Sequence, residues 1–243
     1  MMKEHFYKFL IYIKNKKPDI KFILCGDYNQ LSPVCDRIQN VDYKNSLALF
    51  ELSDGNRLEL SNCRRSDDIL FNMCKFENIM NVNKENFGNK QHNKCVSYLH
   101  STRIKINDIC MKQRLKAYHK TNKIKLEKNI FDPHSQDVTL CPKMPIISKI
   151  NNSKLNIVNN ECFTIKKIKD DNIHISSEYK DDIIIHKDEF QETFYLAYCI
   201  TIHSSQGETF NEPYTICDWN LLDERLRYVA LTRASDISYI NIF

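Results

Sequence analysis

The sequence predicts an α/β protein with a mainly parallel sheet and a small β-rich insert. Helix-like and strand-like patterns alternate over residues 3–135 and again over 194–243, an alternation that favours a parallel sheet. Between about 136 and 193, short apolar runs are separated by turns of Asn and Asp, which tolerate left-handed backbone. A chain of 243 residues is long enough to bury a sizeable core.

The elements of the first part follow from apolar periodicity and chain breakers. Apolar residues at helical spacing predict a helix over 3–16, which Pro18-Asp19 ends. The elements predicted after it are a buried strand over 20–25, a helix near 66–80, a strand over 96–100 and a long helix over about 105–119.

The second part begins with the insert and returns to the α/β pattern. Its predicted strands lie at 138–140, 145–150, 162–168, 173–176 and 183–185. They are followed by strands over 195–202 and 214–217, a helix over 221–231 and a strand over 237–242.

Composition and charge exclude several classes of protein. The net charge of +4 permits a nucleic-acid partner without requiring one. None of the ten cysteines forms a C-x-x-C pair, so we interpret Cys25, Cys199 and Cys217 as reduced core residues and expect no metal site. Without a signal-peptide pattern or an apolar run of about 20 residues, we expect a soluble intracellular protein with no membrane contact, in the cytoplasm, the nucleus or a viral replication site.

The stretch "GDYNQLSPV" follows the predicted strand 20–25, at the carboxyl end where open α/β sheets bind ligands. Gly26 lets the backbone turn close to a ligand. Asp27 is suited to orienting a metal-bound water, and Gln30 to bonding a phosphate oxygen. A plain Gly-Asp turn is the simpler interpretation of that pair alone.

Three further stretches are polar in the same way. Arg64 and Arg65 follow a predicted strand, and arginine forks pair with phosphate oxygens, although two arginines also suit a solvated helix start. The stretch "TIHSSQGET" offers hydroxyls and backbone N–H groups to a sugar-phosphate backbone. In "YVALTRA", Arg233 ends a predicted helix, where it can point into a cleft as an arginine finger.

In this order the four stretches closely resemble motifs III, IV, V and VI of the superfamily 1 helicases, and the resemblance covers nearly the whole chain. "LHSTRIKINDIC" is similar to a strand-to-helix segment of the family, and "NIVNNECFTIKKI" to its entry into an SH3-like barrel, with Asn160 in place of glycine. Gln206-Gly207 and the insert resemble the 5′-to-3′, RecD-like branch.

The resemblance implies a RecA-like parallel sheet of the P-loop NTPase type with an SH3-like β-barrel insert. Residues 1–60 would end a first RecA-like domain, 61–135 and 194–243 would form the second, and 136–193 the insert. It implies a catalytic role for Gln30 as γ-phosphate sensor and for Arg64 and Arg233 as fingers. Residues implied to couple ATP and Mg²⁺ are Gly26, Asp27, Gly207 and Thr209. Residues implied to bind DNA are Thr201, His203, Ser204, Ser205, Gln206, Thr102 and Asn107. The family usually has lysine at position 204, so serine there weakens one implied phosphate contact.

None of the four glycines begins or ends a G-x-x-x-x-G-K-[S/T] loop, and the Asp-Glu pair that would hold Mg²⁺ is missing as well. We therefore expect the C-terminal portion of an ATP-dependent DNA helicase, inactive by itself, that acts on single-stranded DNA and duplex junctions. An N-terminal helicase half, in the same or a separate chain, would hold most of the ATP and Mg²⁺. Two alternatives stay open: a non-catalytic module that binds single-stranded nucleic acid or a partner, and an RNA helicase of the same superfamily.

Overall fold

The computed structural model describes residues 4–31, 42–119 and 122–243. The end of "GDYNQLSPV", from Ser32 onward, lies outside these ranges. The α-helices are α1 (Glu4–Lys16), α2 (Leu47–Leu52), α3 (Asp68–Met73), α4 (His100–Ala117), α5 (Lys187–Thr193) and α6 (Glu224–Leu231). Short 3-10 helices lie at Tyr43–Asn45, Phe76–Asn81, Lys84–Asn86, Trp219–Leu221 and Ile237–Tyr239.

The strands form a parallel sheet, an antiparallel sheet and a hairpin. Their bounds are β1 (Cys95–Ser97), β2 (Ile124–Leu126), β3 (Val138–Leu140), β4 (Pro145–Ser148), β5 (Cys162–Lys169), β6 (Asn172–Ser176), β7 (Ile183–His186), β8 (Phe194–Leu196), β9 (Cys199–Thr201), β10 (Tyr214–Ile216) and β11 (Ile240–Ile242). The parallel sheet has the order β11-β10-β1-β9, the antiparallel sheet the order β7-β6-β5-β4-β8, and β2 pairs with β3.

The parallel sheet is buried on both faces. Every residue of β1, β9, β10 and β11 is buried, as expected for a sheet covered by helices on either side. One core cluster joins these strands to α3 and α6 through side chains such as Leu70, Val229 and Ala230. The sheet therefore fixes the loops that follow β9 and α6 relative to each other.

The insert is a five-stranded antiparallel sheet, and its turns confirm the expectation of left-handed Asn and Asp. Positive φ angles occur at Asn160 (66°), Asp170 (53°) and Asp182 (53°). Asn160 tolerates the left-handed conformation that glycine would adopt in the resembling family. The SH3-like character of this sheet stays a prediction.

The insert shares a core with α4. Ile106, Cys110 and Met111 of α4 belong to the same buried cluster as Phe163 and Ile165 of β5. This common core holds the insert against the helix that begins after β1.

The prediction of a buried strand over 20–25 is wrong for this structure. The segment has no strand assignment, and the exposed fraction of the Ile23 side chain is 91%. Cys25, predicted in the core, is exposed, whereas Cys199 and Cys217 are buried. Strands form by bonding their backbone to a neighbour, and no segment of the described ranges pairs with this one.

Other predictions differ at their boundaries. The predicted helix 66–80 is α3 followed by a 3-10 helix, and the predicted strand 195–202 is divided into β8 and β9. Neither α2 nor α5 was predicted. Within the described ranges, no helix combines the length and apolar character needed to cross a membrane.

Candidate nucleotide and nucleic-acid site

The loop that holds Asp27 lies against helix α6. Asp27 Oδ2 accepts a hydrogen bond from Gln30 Nε2 at 3.2 Å and another from Tyr228 Oη at 2.9 Å. Arg225 Nη1 donates to the carbonyl oxygen of Gln30 at 3.1 Å. Two predicted site residues, Asp27 and Gln30, are therefore tied to the helix that precedes Arg233. Gly26, beside them, is exposed.

Arg233 is buried, with only 1% of its surface exposed. Its Nε donates to the Val229 carbonyl at 3.0 Å, and its Nη1 donates to the carbonyls of Ser205 and Glu208 at 3.4 and 3.2 Å. Burial, together with the positive charge of Arg65, lowers the pKa of Arg233 below its ordinary value. In this structure the guanidinium of Arg233 joins the end of α6 to the loop after β9 and does not face an open cleft, and its role as a finger stays a prediction.

The Arg64-Arg65 pair is positioned by the start of α3. Asp67 caps this helix and also accepts the backbone N–H of Ile237 at 2.8 Å. Arg65 Nη1 donates to the carbonyl of Thr232 at 3.4 Å. Arg64 is exposed and makes no side-chain hydrogen bond within the described ranges. Arg65 is thus the member of the pair that contacts the end of α6, although the resemblance pointed to Arg64.

The loop after β9 is closed by its own hydroxyls. Thr201 Oγ1 bonds the Ser204 Oγ at 2.9 Å and accepts the Ser204 N–H at 3.1 Å. Ser205 is fully buried and donates to the Ile202 carbonyl at 2.8 Å. The side chain of Ser205 therefore shapes the loop, and its predicted contact with DNA stays a prediction.

The surface of the same loop carries the remaining predicted contacts. His203 and Thr209 are exposed, and Gln206 is half-buried. Gly207 has φ of +93°, in the region that favours glycine. Nothing lies within 4 Å of the position a Cβ would take there, so the backbone conformation alone requires glycine.

Thr102 lies at the start of α4, where its hydroxyl donates to Asp218 Oδ1 at 2.8 Å. Asp218 Oδ2 also accepts the backbone N–H groups of Tyr98 and Leu99 at 3.1 and 3.0 Å. Asp218, which follows β10, thereby holds the two residues just before α4, and the Thr102 hydroxyl already has this partner before any DNA is bound.

Asn107 is fully buried and bridges β8 and β9. Its Nδ2 donates to the carbonyls of Leu196 and Cys199, each at 3.0 Å, and its Oδ1 accepts the Cys199 N–H at 2.9 Å. Both ends of the amide are occupied by backbone. In this structure Asn107 therefore joins two strands, and its implied contact with DNA stays a prediction.

Sequence reasoning missed a basic and aromatic group that we call the Tyr195 cluster. Its members are His100, Arg103, Asp132, His134, Lys149 and Tyr195. Tyr195 Oη donates to Asp132 Oδ2 at 2.6 Å, and Lys149 forms an ion pair with the same carboxylate. The Tyr195 ring has the Arg103 guanidinium 4.3 Å and the Lys149 ammonium 4.7 Å from its centroid.

Two histidines complete the cluster. The rings of His100 and His134 stack with centroids 3.6 Å apart, and Arg103 Nε donates to His100 Nδ1 at 3.3 Å. Burial and the neighbouring His134 and Arg103 lower the pKa of His100 to about 4, and His203 is a further positive neighbour. The cluster therefore adjoins the loop after β9. No one-dimensional pattern connects its four chain segments.

The second half of the chain is similar to a known helicase family. Residues 134–240 match the family model described as viral superfamily 1 RNA helicase core domain. No curated protein matches the chain.

In the described ranges, no three His, Cys, Asp or Glu side chains converge as a metal site.

Solved structures share the fold. Pif1 helicase from Candida albicans superposes with a TM-score of 0.67 at 16% identity, over 100% of this chain and 69% of that one. Bacteroides Pif1 bound to ssDNA superposes with a TM-score of 0.59 at 18% identity, over 76% of this chain and 51% of that one. Bacteroides Pif1 in complex with ADP-AlF3 and ssDNA superposes with a TM-score of 0.58 at 19% identity, over 89% of this chain and 60% of that one. The chain thus spans about half the length of the ssDNA-bound Bacteroides protein.

These comparisons confirm the predicted fold class. The described part of the first polar stretch lies against α6, and the stretches around Arg65 and Arg233 meet the end of that helix and the loop after β9. The chain shares the fold of the Pif1 helicases on which it superposes, and its residues 134–240 are similar to the viral superfamily 1 RNA helicase core domain.

Proposed function

We propose that the chain is the C-terminal part of an ATP-dependent DNA helicase that translocates on single-stranded DNA and unwinds duplex, 5′ to 3′ as in the RecD-like branch. The observation that carries this proposal is the contact between the Asp27 loop and α6. Tyr228 and Arg225 of that helix hold Asp27 and Gln30, so that groups from both proposed RecA-like domains meet in one place.

The residues at this meeting point fit the phosphates of a nucleotide. Gln30 offers an amide there, and such a group suits the charge that develops on a transferred phosphoryl group. We propose Arg64, which is exposed and makes no side-chain hydrogen bond within the described ranges, as an arginine finger. Arg233 would reach a phosphate only by leaving its carbonyl partners, so its proposed role is to hold the loop after β9.

Coupling would run from this point to the nucleic acid. Arg233 bonds the carbonyls of Ser205 and Glu208, and any shift of α6 is therefore passed to the loop that exposes His203. We propose that Gly26, Gly207 and Thr209 take part in this coupling. Thr201, His203, Ser204 and Gln206 are proposed to line the single strand, with the Tyr195 cluster supplying positive charge.

The described residues fit Mg²⁺ less well than they fit phosphate. Asp27 is the carboxylate at the site, and its oxygens already accept hydrogen bonds from Asn29, Gln30 and Tyr228. We propose that an N-terminal helicase half holds Mg²⁺ and most of the ATP. Its contact surface would include three strongly exposed side chains, Ile23 (91%), Leu58 (86%) and Leu60 (87%).

The test is ssDNA-stimulated ATP turnover and fork unwinding by this chain together with the N-terminal half. Arg64→Ala should lower turnover about 10³-fold while ssDNA binding stays intact. Forks with a 5′ tail should be unwound and forks with only a 3′ tail should not. More than a tenth of wild-type turnover in Arg64→Ala would remove its finger role. Binding without any hydrolysis would favour the non-catalytic module.

RNA is the second candidate substrate, because the family model that matches residues 134–240 is described as an RNA helicase core. Contacts through hydroxyls and positive side chains address the backbone rather than the bases. Competition between DNA and RNA of the same sequence decides between them: the proposal expects DNA to displace RNA at lower concentration.

A further inference from the structure

The β2–β3 hairpin ends in two exposed apolar side chains. Strands β2 and β3 pair antiparallel, and the loop between them carries Ile130, 79% exposed, and Phe131, 90% exposed. An aromatic side chain left almost wholly in water at a loop tip is typical of a contact surface.

The backbone that presents Phe131 is well ordered by hydrogen bonds. The Phe131 N–H donates to Asn129 Oδ1 at 3.0 Å, and the Asn129 N–H donates to Ser135 Oγ at 3.0 Å. Ser135 Oγ in turn donates to Gln191 Oε1 of α5 at 3.0 Å. Because the loop is already fixed, little ordering entropy would be lost when Phe131 meets a ligand.

The tip is continuous with the Tyr195 cluster. Asp132, the next residue, accepts from Tyr195 and pairs with Lys149. His134 stacks on His100, which has His203 of the loop after β9 as a neighbour. The cluster holds two basic side chains, the half-buried Lys149 and Arg103, which is only 2% exposed, against one carboxylate. An aromatic tip beside positive charge complements a polyanion that also carries flat apolar rings.

We propose that Phe131 stacks against an unpaired base of a single strand whose phosphates run along the Tyr195 cluster and the loop after β9. Ile130 would pack beside the same base. This inference rests on the proposed function, since it extends the nucleic-acid surface to a loop outside the helicase motifs. Base–aromatic stacking tolerates any sequence, because every base has a π-face.

Fluorescence of a tryptophan placed at the tip tests the contact directly. The emission of the tryptophan added in Phe131→Trp should be quenched on saturation with oligothymidine. The buried Trp219 contributes a constant background emission. Tyr179→Trp, at an 84% exposed position in the β6–β7 loop, is the matched control and should keep its emission. Phe131→Ala should weaken ssDNA binding about tenfold with an unchanged salt slope, and Tyr179→Ala should not.

The outcomes separate this inference from the proposed function. If wild-type chain binds no nucleic acid, both are overturned. If it binds with salt dependence, but Phe131→Ala binds equally well and the emission of Phe131→Trp is not quenched, only the stacking role is overturned, and the tip serves another partner. Because Phe131 lies on the surface, its replacement leaves the folded core intact, which thermal unfolding of each variant verifies.

Discussion

The hydroxyl of Tyr228 donates a hydrogen bond to Asp27 Oδ2 at 2.9 Å. This bond links two residues that are 201 positions apart in the chain. Burial, followed by the negative charge and hydrogen bond of Asp27, raises the pKa of Tyr228 above its ordinary value. The phenol therefore stays protonated and donates. This bond joins the proposed end of the first RecA-like domain to α6, the helix that precedes Arg233.

Removing this hydroxyl should loosen the Asp27 loop. We expect Tyr228→Phe to lower the free energy of unfolding by about 1 kcal/mol and to speed amide exchange at residues 27–30. Urea denaturation and hydrogen exchange measure the two effects. Tyr179→Phe, at an exposed position, is the control. Unchanged exchange in Tyr228→Phe would show that the loop is held by other contacts.

The two arginines of the proposed site should differ sharply in stability. Arg233→Ala removes a buried guanidinium that donates to the carbonyls of Val229, Ser205 and Glu208, so we expect a loss of about 3 kcal/mol in the free energy of unfolding. Arg233→Lys should not restore it, because an ammonium lacks the planar fork. Arg64→Ala should change stability by less than about 0.5 kcal/mol. Equal urea midpoints for the two alanine variants would contradict this assignment.

Replacement of Asn107 should damage the fold rather than nucleic-acid binding as such. Asn107→Ala leaves the Leu196 and Cys199 backbone groups unsatisfied, at an expected cost of about 2–3 kcal/mol. Lys112→Ala, which breaks the exposed ion pair with Asp108, should cost less than about 0.5 kcal/mol. A fall in ssDNA affinity without any loss of stability in Asn107→Ala would restore its implied DNA contact.

Acid should destabilise the protein through His100. Its pKa is lowered from 6.5 to about 4 by burial, His134, Arg103 and His203, with Asp132 opposing them. As the pH falls below 6.5, His100 binds a proton in the unfolded chain but stays neutral in the folded protein. The free energy of unfolding therefore falls until about pH 4, where folded His100 is protonated as well.

His100→Asn should flatten this part of the pH profile, whereas His5→Asn, exposed on α1, should not.

Asp132 affects stability in a lower pH range than His100 does. Burial raises its pKa, but the hydrogen bonds from Lys149 and Tyr195 prevail and hold it at about 2, below its ordinary 3.8. Its contribution is full above about 4 and is lost toward 2, so Asp132→Asn should flatten the lower window. Because Asp132 opposes the lowered pKa of His100, the same variant should extend the His100 window to lower pH. Urea midpoints between pH 7 and pH 2 give both curves.

The parallel sheet was predictable because its strands are buried on both sides, and such strands are continuous apolar runs. The insert was predictable because its turns need left-handed residues, which Asn160, Asp170 and Asp182 supply. Residues 20–25 have the same apolar character as the central strands, but a strand also needs a neighbour, and that requirement is not written in the segment itself.

The site was less predictable than the fold. A polar residue on a helix has the same local pattern whether it binds a ligand, as the resemblance implies for Thr102, or bonds two strands, as Asn107 does. Motif order pointed to Asp27, Gln30 and Arg233, but it could not show that the first two contact α6 or that Arg233 is buried. The Tyr195 cluster draws on positions near 100, 132, 149 and 195, and only folding brings them together.

The core shared by α4 and β5 has a mechanical consequence. Because Ile106 and Met111 pack in the same cluster as Phe163 and Ile165, the antiparallel sheet is not expected to rotate independently of α4. We expect the sheet and α4 to move together. A force that nucleic acid exerts on the insert would therefore be transmitted through α4. It would reach Asp218, which bonds the backbone just before that helix, and Asn107, which joins β8 to β9.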